Sequence, residues 1–153
     1  RPTAVLYVDV DGLREVNNTL GHGAGDLLLT TIVERVRSQL RADDLLSRVG
    51  GDEFVIVLPS VGSVGDAQLV AAKLHDAVRE PVKVRDSWVT PTTSIGIALS
   101  GGGRSAAQLV DAADQSLLRA KRDGKNRTAT EQDADDAGEH GHRAADDEVD
   151  GTG

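Results

Sequence analysis

The stretch LSRVGGDEFVIVLP, Leu46 to Pro59, places two glycines and two acids between two apolar runs. The runs on either side, residues 44–49 and 54–58, have the composition of β-strands, and we predict that they pair as an antiparallel hairpin. A two-residue turn would give Gly50 and Gly51 positive φ angles. Their missing side chains would also let a phosphate approach the backbone, so the stretch is either an ordinary turn or part of a site.

Strand and helix patterns on both sides of this hairpin predict an α+β domain. Residues 4–9 (AVLYVD) form an apolar strand, residues 13–18 a short helix, and Asp26 can cap a longer helix. A further helix over residues 66–79 precedes a hairpin-like pair, VKVRDSWVT and TTSIGIALS, and Ser105 can cap the last helix. The order is that of a split βαβ, ferredoxin-like fold, with a mainly antiparallel central sheet of about five strands flanked by helices.

The formal net charge of −8 comes from the end of the chain. Residues 129–153 contain nine acids and one arginine, whereas residues 1–128 contain equal numbers of acidic and basic residues. We therefore predict a folded domain over residues 1–128 and an acidic tail over residues 129–153, which stays disordered because it has few large apolar residues.

Composition also argues against several classes of function. The single Tyr, Phe and Trp leave little surface for stacking bases, so no nucleic-acid partner is expected. The absence of cysteine excludes disulfides and thiolate metal sites and fits a cytoplasmic location. No apolar run approaches the roughly 20 residues of a membrane span, so we expect no membrane contact by this segment. Methionine is absent even at position 1, and we expect the chain to begin inside a larger gene product or after processing.

Carboxylates cluster at the end of the first strand and at the hairpin turn. Asp9 and Asp11 are two residues apart and face the same side of the sheet if extended geometry continues. In a split βαβ sheet the hairpin lies beside the first strand, which brings Asp52 and Glu53 to the same edge. Four oxygen donors without cysteine or nearby histidine suit Mg²⁺ or Mn²⁺ rather than zinc. On pattern alone, DVD could also be a solvated strand end and GGDE an ordinary hairpin tip.

Several blocks of the sequence together resemble the GGDEF domain of the diguanylate cyclase family. RVGGDEF (48–54) carries the signature, and DVDGLREVNNTLGHGAGD (9–26) is similar to the family's acidic strand end and nucleotide-binding segment. TTSIGIA and AADQSLLRAKRDGKN are similar to its later strand and closing helix, and the blocks follow the family order over residues 4–127. The sequence departs from the family pattern in having Asn17-Asn18 for Asn-Asp. The N-terminal start of the family domain, DxLTGLxNR, is missing before Arg1.

The resemblance implies a nucleotidyl-cyclase palm that condenses two GTP molecules into cyclic di-GMP and releases pyrophosphate. Asp9, Asp52 and the carbonyl of Val10 match the metal-binding positions, and Asp52 and Glu53 match the catalytic acids. Two bound Mg²⁺ or Mn²⁺ ions would lower the pKa of the attacking 3′-hydroxyl and stabilise charge on the α-phosphate and the leaving pyrophosphate.

The resemblance also implies a set of GTP-binding residues. Asn17 and Asp26 match the pair that reads guanine. A carboxylate can accept hydrogen bonds from the N1 and N2 donors of guanine. The positions matching those near the phosphates are Gly50, Gly51, Lys121, Lys125 and, as a weaker match, Arg14. Without the resemblance, Asp26 would be a helix N-cap, Asn17 a turn residue, and the cations solvated surface groups.

A second site is suggested by RADD, Arg41 to Asp44, which matches the family's inhibitory RxxD motif at the family's spacing before the signature. The resemblance implies that Arg41 and Asp44 bind cyclic di-GMP and limit its synthesis, although a four-residue match alone could be chance. The symmetric product implies a homodimer in which each copy holds one GTP, controlled by an upstream sensory or dimerising domain. The alternatives are a non-catalytic GGDEF module that binds GTP or cyclic di-GMP as a receptor, and an acidic-tailed interaction domain without a nucleotide role.

Overall fold

The computed structural model describes residues 1–133, which form a mixed five-stranded sheet flanked by helices. The elements in chain order are β1 (Ala4–Val10), α1 (Leu13–Leu20), α2 (Ala24–Ser38), β2 (Leu45–Arg48), β3 (Glu53–Leu58), α3 (Val64–Val78), β4 (Val82–Val84), β5 (Ser87–Val89), β6 (Thr93–Leu99), α4 (Ala106–Arg122) and β7 (Thr128–Thr130). The strand order in the central sheet is β2-β3-β1-β6-β7, and only β6 and β7 run parallel. The predicted α+β, mainly antiparallel architecture is confirmed.

The central strand β1 is apolar on both faces because each face of the sheet is covered by helices. Leu6, Val8 and Val10 belong to the larger core, which also contains residues of α2 and α3. Val5 lies on the opposite face, in a smaller core with Leu109 of α4. This alternation follows from the two-residue period of a strand, and it places Tyr7 and Asp9 on the face that α4 covers.

Gly96 allows α4 to pack closely on the sheet. A Cβ atom added at Gly96 in β6 would overlap backbone atoms of Ala113 and Leu117 in α4. The helix starts with a capping box, in which Ser105 and Gln108 each accept a hydrogen bond from the other's backbone N–H. The predicted Ser105 cap is therefore confirmed, and the helix it starts carries Lys121 to the end of β1.

The predicted pairing of VKVRDSWVT with TTSIGIALS is wrong. VKVRDSWVT folds back on itself, so that Val82 of β4 pairs with Val89 of β5 in a separate two-stranded sheet. Arg85 and Asp86 form the turn with φ angles of 46° and 66°, the left-handed conformation that a tight hairpin turn requires. The strand β6 instead pairs with β1 and β7.

Two other expectations also need correction. The helix α2 begins at Ala24 after Gly23, which has φ 87°, and Asp26 lies exposed in its first turn without a side-chain capping bond. At the other end of the chain, the boundary predicted between residues 128 and 129 falls inside β7, which pairs with β6. Residues 134–153 of the predicted acidic tail lie outside the described residues. Within residues 1–133, no helix has the length and apolar character needed to span a bilayer.

Candidate active site

The end of β1 and the turn between β2 and β3 meet at one edge of the sheet. Asp9 is opposite Glu53 in the antiparallel register of β1 and β3, and the backbone N–H of Val10 donates to the carbonyl of Asp52 at 3.0 Å. One carboxylate oxygen from each of Asp9, Asp52 and Glu53 lies within 4.8 Å of the other two. Strand pairing thus brings three of the predicted acids together, and we call Asp9, Asp52 and Glu53 the acidic cluster.

Two side chains on the α4 face contact the acidic cluster. Lys121 of α4 forms an ion pair with Asp9 through Nζ and Oδ2, and its Nζ lies 3.7 Å from Glu53 Oε1. The hydroxyl of Tyr7 donates a hydrogen bond to Glu53 Oε2 at 3.3 Å. Tyr7 is not among the site residues predicted from the sequence, although its position two residues before Asp9 on the same strand indicates that the two side chains share a face.

Asp9 is the buried member of the acidic cluster, with 7% of its surface exposed. Burial raises the pKa of Asp9 to about 6 against the opposing effect of Lys121, and the charges of Asp52 and Glu53 raise it further. Burial disfavours the charged form of Lys121 as well, but the hydrogen bond and charge of Asp9 outweigh this effect, and the pKa of Lys121 is raised.

The acidic cluster fits a hard divalent cation. Asp9 Oδ1 is buried and accepts no hydrogen bond. Burial has removed this oxygen from water without giving it a hydrogen-bond donor in exchange, which costs free energy. The three acids supply only oxygen ligands, which are the ligands that Mg²⁺ and Mn²⁺ prefer. The arrangement of the acidic cluster would therefore favour binding of a divalent cation.

Asp11 does not join the acidic cluster, contrary to the expectation that it would share a surface with Asp9. Its oxygens accept hydrogen bonds from the hydroxyls of Thr92 and Ser94, each at 2.8 Å, and from the backbone N–H of Asn126 at 3.2 Å. The strand ends at Val10, so the two-residue alternation does not extend to Asp11. This carboxylate ties the end of β1 to the start of β6 and to the loop between α4 and β7.

The turn between β2 and β3 is longer than predicted. Residues 49–52 connect the strands, and neither Gly50 nor Gly51 has a positive φ, so the predicted two-residue turn is wrong. Arg48 braces the turn by donating to the carbonyls of Gly50 and Gly51 at 3.1 Å and 2.6 Å. A Cβ atom at Gly51 would meet no atom within 4 Å, so the backbone at Gly51 is open to an approaching group.

The two residues predicted to read guanine lie around the junction of α1 and α2. Asn17 lies within α1, not in a turn, and its Oδ1 accepts a hydrogen bond from the backbone N–H of Gly25 at 2.7 Å. Asp26 lies exposed one residue further along α2. Arg14 is also exposed, and among residues 1–133 it has no ion pair or side-chain hydrogen bond.

Lys125 lies apart from Lys121, in the loop between α4 and β7. It lines a cleft of about 650 Å³ together with Asp11 and Gly12, which directly follow β1. The cleft is also lined by Trp88 of the β4–β5 hairpin, which is largely exposed. The two predicted phosphate-binding lysines thus occupy different positions, one in contact with the acidic cluster and one in the neighbouring cleft.

The RxxD residues lie at the other end of the β2–β3 hairpin. Asp44 accepts a hydrogen bond from the backbone N–H of Arg41 at 2.7 Å, and both residues line a cleft of about 310 Å³. The same cleft is lined by Arg1 and by Lys73 of α3. No local pattern in the sequence could have indicated these two cations, because they come from separate elements.

Comparisons with known proteins point to one family. The family model described as diguanylate cyclase, GGDEF domain, matches residues 1–127. The chain is 40% identical over 127 residues to the bifunctional diguanylate cyclase/cyclic di-GMP phosphodiesterase MucR of Pseudomonas aeruginosa, covering 82% of this chain and 18% of MucR. It is also 40% identical over 121 residues to the diguanylate cyclase TpbB of the same species, covering 78% of this chain and 28% of TpbB.

Solved structures give the same result for the fold. The crystal structure of the GGDEF domain of TpbB superposes with a TM-score of 0.80 at 37% identity, covering 84% of this chain and 81% of that chain. The active GGEEF domain of a diguanylate cyclase from Vibrio cholerae has a TM-score of 0.77 at 27% identity, covering 85% of this chain and 83% of that chain. The chain spans less than a third of the length of MucR or TpbB.

Proposed function

Because the chain belongs to the diguanylate cyclase, GGDEF domain family, we propose that it condenses two GTP molecules into cyclic di-GMP and releases pyrophosphate. The observation that carries this proposal is the convergence of Asp9, Asp52 and Glu53, with a buried oxygen of Asp9 left without a donor. Relatives named as diguanylate cyclases support it.

In this proposal, Asp9 and Asp52, with the carbonyl of Val10, hold divalent cations, either Mg²⁺ or Mn²⁺. Such cations supply two effects when bound: they lower the pKa of the attacking 3′-hydroxyl and neutralise charge on the α-phosphate and the leaving pyrophosphate. Glu53 assists as a further acid, oriented by the hydroxyl of Tyr7. Lys121 would exchange its ion pair with Asp9 for a phosphate oxygen, because Asp9 no longer needs it as a counter-charge.

The remaining residues bind the nucleotide. Asp26 accepts from guanine N1 and N2, and Asn17 contacts the base edge through its amide; adenine would leave these groups unpaired, so GTP is favoured. The phosphates lie against the open backbone at Gly51 and beside Gly50. Lys125 and Arg14 neutralise further phosphate charge.

The assembly and its regulation are part of the same proposal. Two copies of the domain face each other, each with one GTP, because the product joins two nucleotides symmetrically. An upstream sensory or dimerising region sets the rate through effective concentration. Arg41 and Asp44 bind cyclic di-GMP and limit its synthesis, with positive charge from Arg1 and Lys73 in the same cleft attracting its phosphates.

The test is incubation of the chain with GTP and Mg²⁺ at high protein concentration, following pyrophosphate and cyclic di-GMP. We expect Asp52→Asn to abolish product formation. Asp111→Asn is the matched control, since it removes the same charge from an exposed position of α4 and should leave the rate unchanged. Full activity of Asp52→Asn would refute the metal assignment. Tight binding of GTP or cyclic di-GMP without any product would instead favour the receptor module.

A further inference from the structure

The loop that carries Lys125 has an unfavourable backbone conformation. Lys125 and Asn126 have φ angles of 63° and 50°, in the left-handed region that costs free energy for residues other than glycine. Asparagine tolerates this region better than lysine does. Consecutive residues with such angles persist where the surrounding structure holds them in place, and they cluster at sites that bind ligands.

Asn126 is held from two sides. Its Oδ1 accepts two hydrogen bonds from the guanidinium of Arg79, at 3.0 Å from Nε and 2.8 Å from Nη2. Its backbone N–H donates to Asp11 Oδ2 at 3.2 Å. Arg79 is the C-cap of α3 and Asp11 directly follows β1, so Asn126 joins two distant elements to the loop after α4. We call this arrangement of Arg79, Asn126 and Asp11 the Asn126 clamp.

The clamp has a fixed anchor and a short connection to Lys125. The hydroxyls of Thr92 and Ser94 both donate to Asp11, so the carboxylate cannot rotate away without losing two hydrogen bonds. The backbone N–H of Lys125 donates to the carbonyl of Ala120 at 3.0 Å, and its carbonyl accepts from Arg127 Nε at 3.0 Å. The backbone of Lys125 is therefore fixed on both sides, at a position that lines the cleft beside Asp11 and Gly12.

We propose that the Asn126 clamp positions Lys125 to bind the GTP triphosphate, with Arg79 as a positioning residue that touches no substrate. This inference rests on the proposed function. Lysine has a long side chain with several rotatable bonds, so ordering it when a ligand binds costs conformational entropy. A backbone that is already fixed lowers this cost. Lys125 would contact phosphate in both the ground state and the transition state, so loss of the clamp should raise KM and leave kcat nearly unchanged.

The test is a double-mutant cycle of Arg79→Ala and Lys125→Ala. The readouts are the Kd for α,β-methylene GTP with Mg²⁺ by calorimetry, and KM and kcat for GTP. We expect Kd and KM to rise about 10-fold in Lys125→Ala and about 5-fold in Arg79→Ala, with kcat within about twofold of the wild type. Because Arg79 acts through Lys125, the double variant should match Lys125→Ala alone.

Three further variants sharpen the test. Arg79→Lys retains one donor to Asn126 and should recover part of the lost affinity. Asn126→Gly adopts φ 50° without strain but removes the acceptor for Arg79, so it should reproduce Arg79→Ala even if that variant folds poorly. Arg122→Ala is the matched control, because it removes an exposed positive charge three residues from Lys125 and should change Kd by less than about twofold.

The outcomes separate the clamp from the proposed function. Additive losses in the double variant, or an unchanged Kd in both Arg79→Ala and Asn126→Gly, would overturn the clamp and leave the cyclase proposal standing. An unchanged Kd in Lys125→Ala, with an active wild type, would also overturn the clamp alone. A wild type that neither binds the analogue nor turns over GTP would overturn both.

Discussion

His75 provides a test of the structure that does not depend on catalysis. It lies in α3 with 6% of its surface exposed, and its Nε2 is 2.8 Å from Thr128 Oγ1 in β7. Its Nδ1 is buried without a partner. Burial lowers the pKa of His75 to about 4, Arg79 lowers it further, and Asp11 and Asp76 partly oppose the change. The imidazole of the folded protein should therefore be neutral above about pH 4.

The size of the effect on stability follows from the two pKa values. His75 has a pKa of about 6.5 in the unfolded chain and about 4 in the folded chain, a difference of about 2.5 pH units. At about 1.4 kcal/mol per unit, this difference corresponds to between about 3 and 4 kcal/mol. Because the unfolded state binds more protons between these pH values, the free energy of unfolding should fall as the pH decreases from 6.5 to 4.

The assay compares urea unfolding of the wild type and His75→Gln, in EDTA, at several pH values between 4.5 and 7.5. Glutamine keeps a neutral hydrogen-bonding group near Thr128 and cannot titrate, while the carboxylates affect both proteins equally. Relative to His75→Gln, the wild type should lose about 2 to 3 kcal/mol on going from pH 7 to pH 4.5. A difference between the two proteins that stays constant with pH would refute the burial argument.

Three other substitutions have definite expected results. Gly96→Ala should lower the free energy of unfolding by about 3 kcal/mol or more, because the new Cβ would overlap the backbone of α4. Urea denaturation measures this change, and an unchanged midpoint would contradict the close packing. Tyr7→Phe should weaken Mn²⁺ binding about 10-fold, because Glu53 loses the hydroxyl that orients it. Calorimetry measures the affinity, and an unchanged value would argue against that contact. Arg41→Ala should preserve the initial rate and relieve inhibition by added cyclic di-GMP; persistent inhibition would exclude the RxxD site.

The acidic cluster was predictable because its geometry is set by short-range patterns. A buried strand that ends at Asp9 and a hairpin that turns before Glu53 are both visible in the sequence, and the split βαβ order places them side by side. Asp9 and Glu53 then become direct neighbours in the sheet. The alternation that puts Asp9 on the α4 face also puts Tyr7 there, so this contact was accessible to the same reasoning.

Other features depend on contacts between residues far apart in the sequence. Asp11 carries the same local pattern as Asp9, but its partners Thr92, Ser94 and Asn126 are 81, 83 and 115 residues away. The turn at Arg85-Asp86 contains no glycine, so its left-handed conformation has no strong local signal. The strand β7 is three residues long, too short for a recognisable period. In each case the tertiary structure overrides or supplements a weak local preference.

The large core, rather than the site, keeps the carboxylates together. Two unit charges about 5 Å apart repel by about 3 kcal/mol at an effective dielectric constant of about 20. Burial of Leu6, Val8 and Val10 on the opposite face of β1 contributes about 1.5 to 3 kcal/mol for each side chain. A one-residue slip of β1 would turn all three side chains toward α4 and lose this contribution. The core therefore outweighs the repulsion, and the repulsion must be relieved locally. Lys121 and a raised pKa of Asp9 relieve it in the free protein, and a bound cation would relieve it more completely.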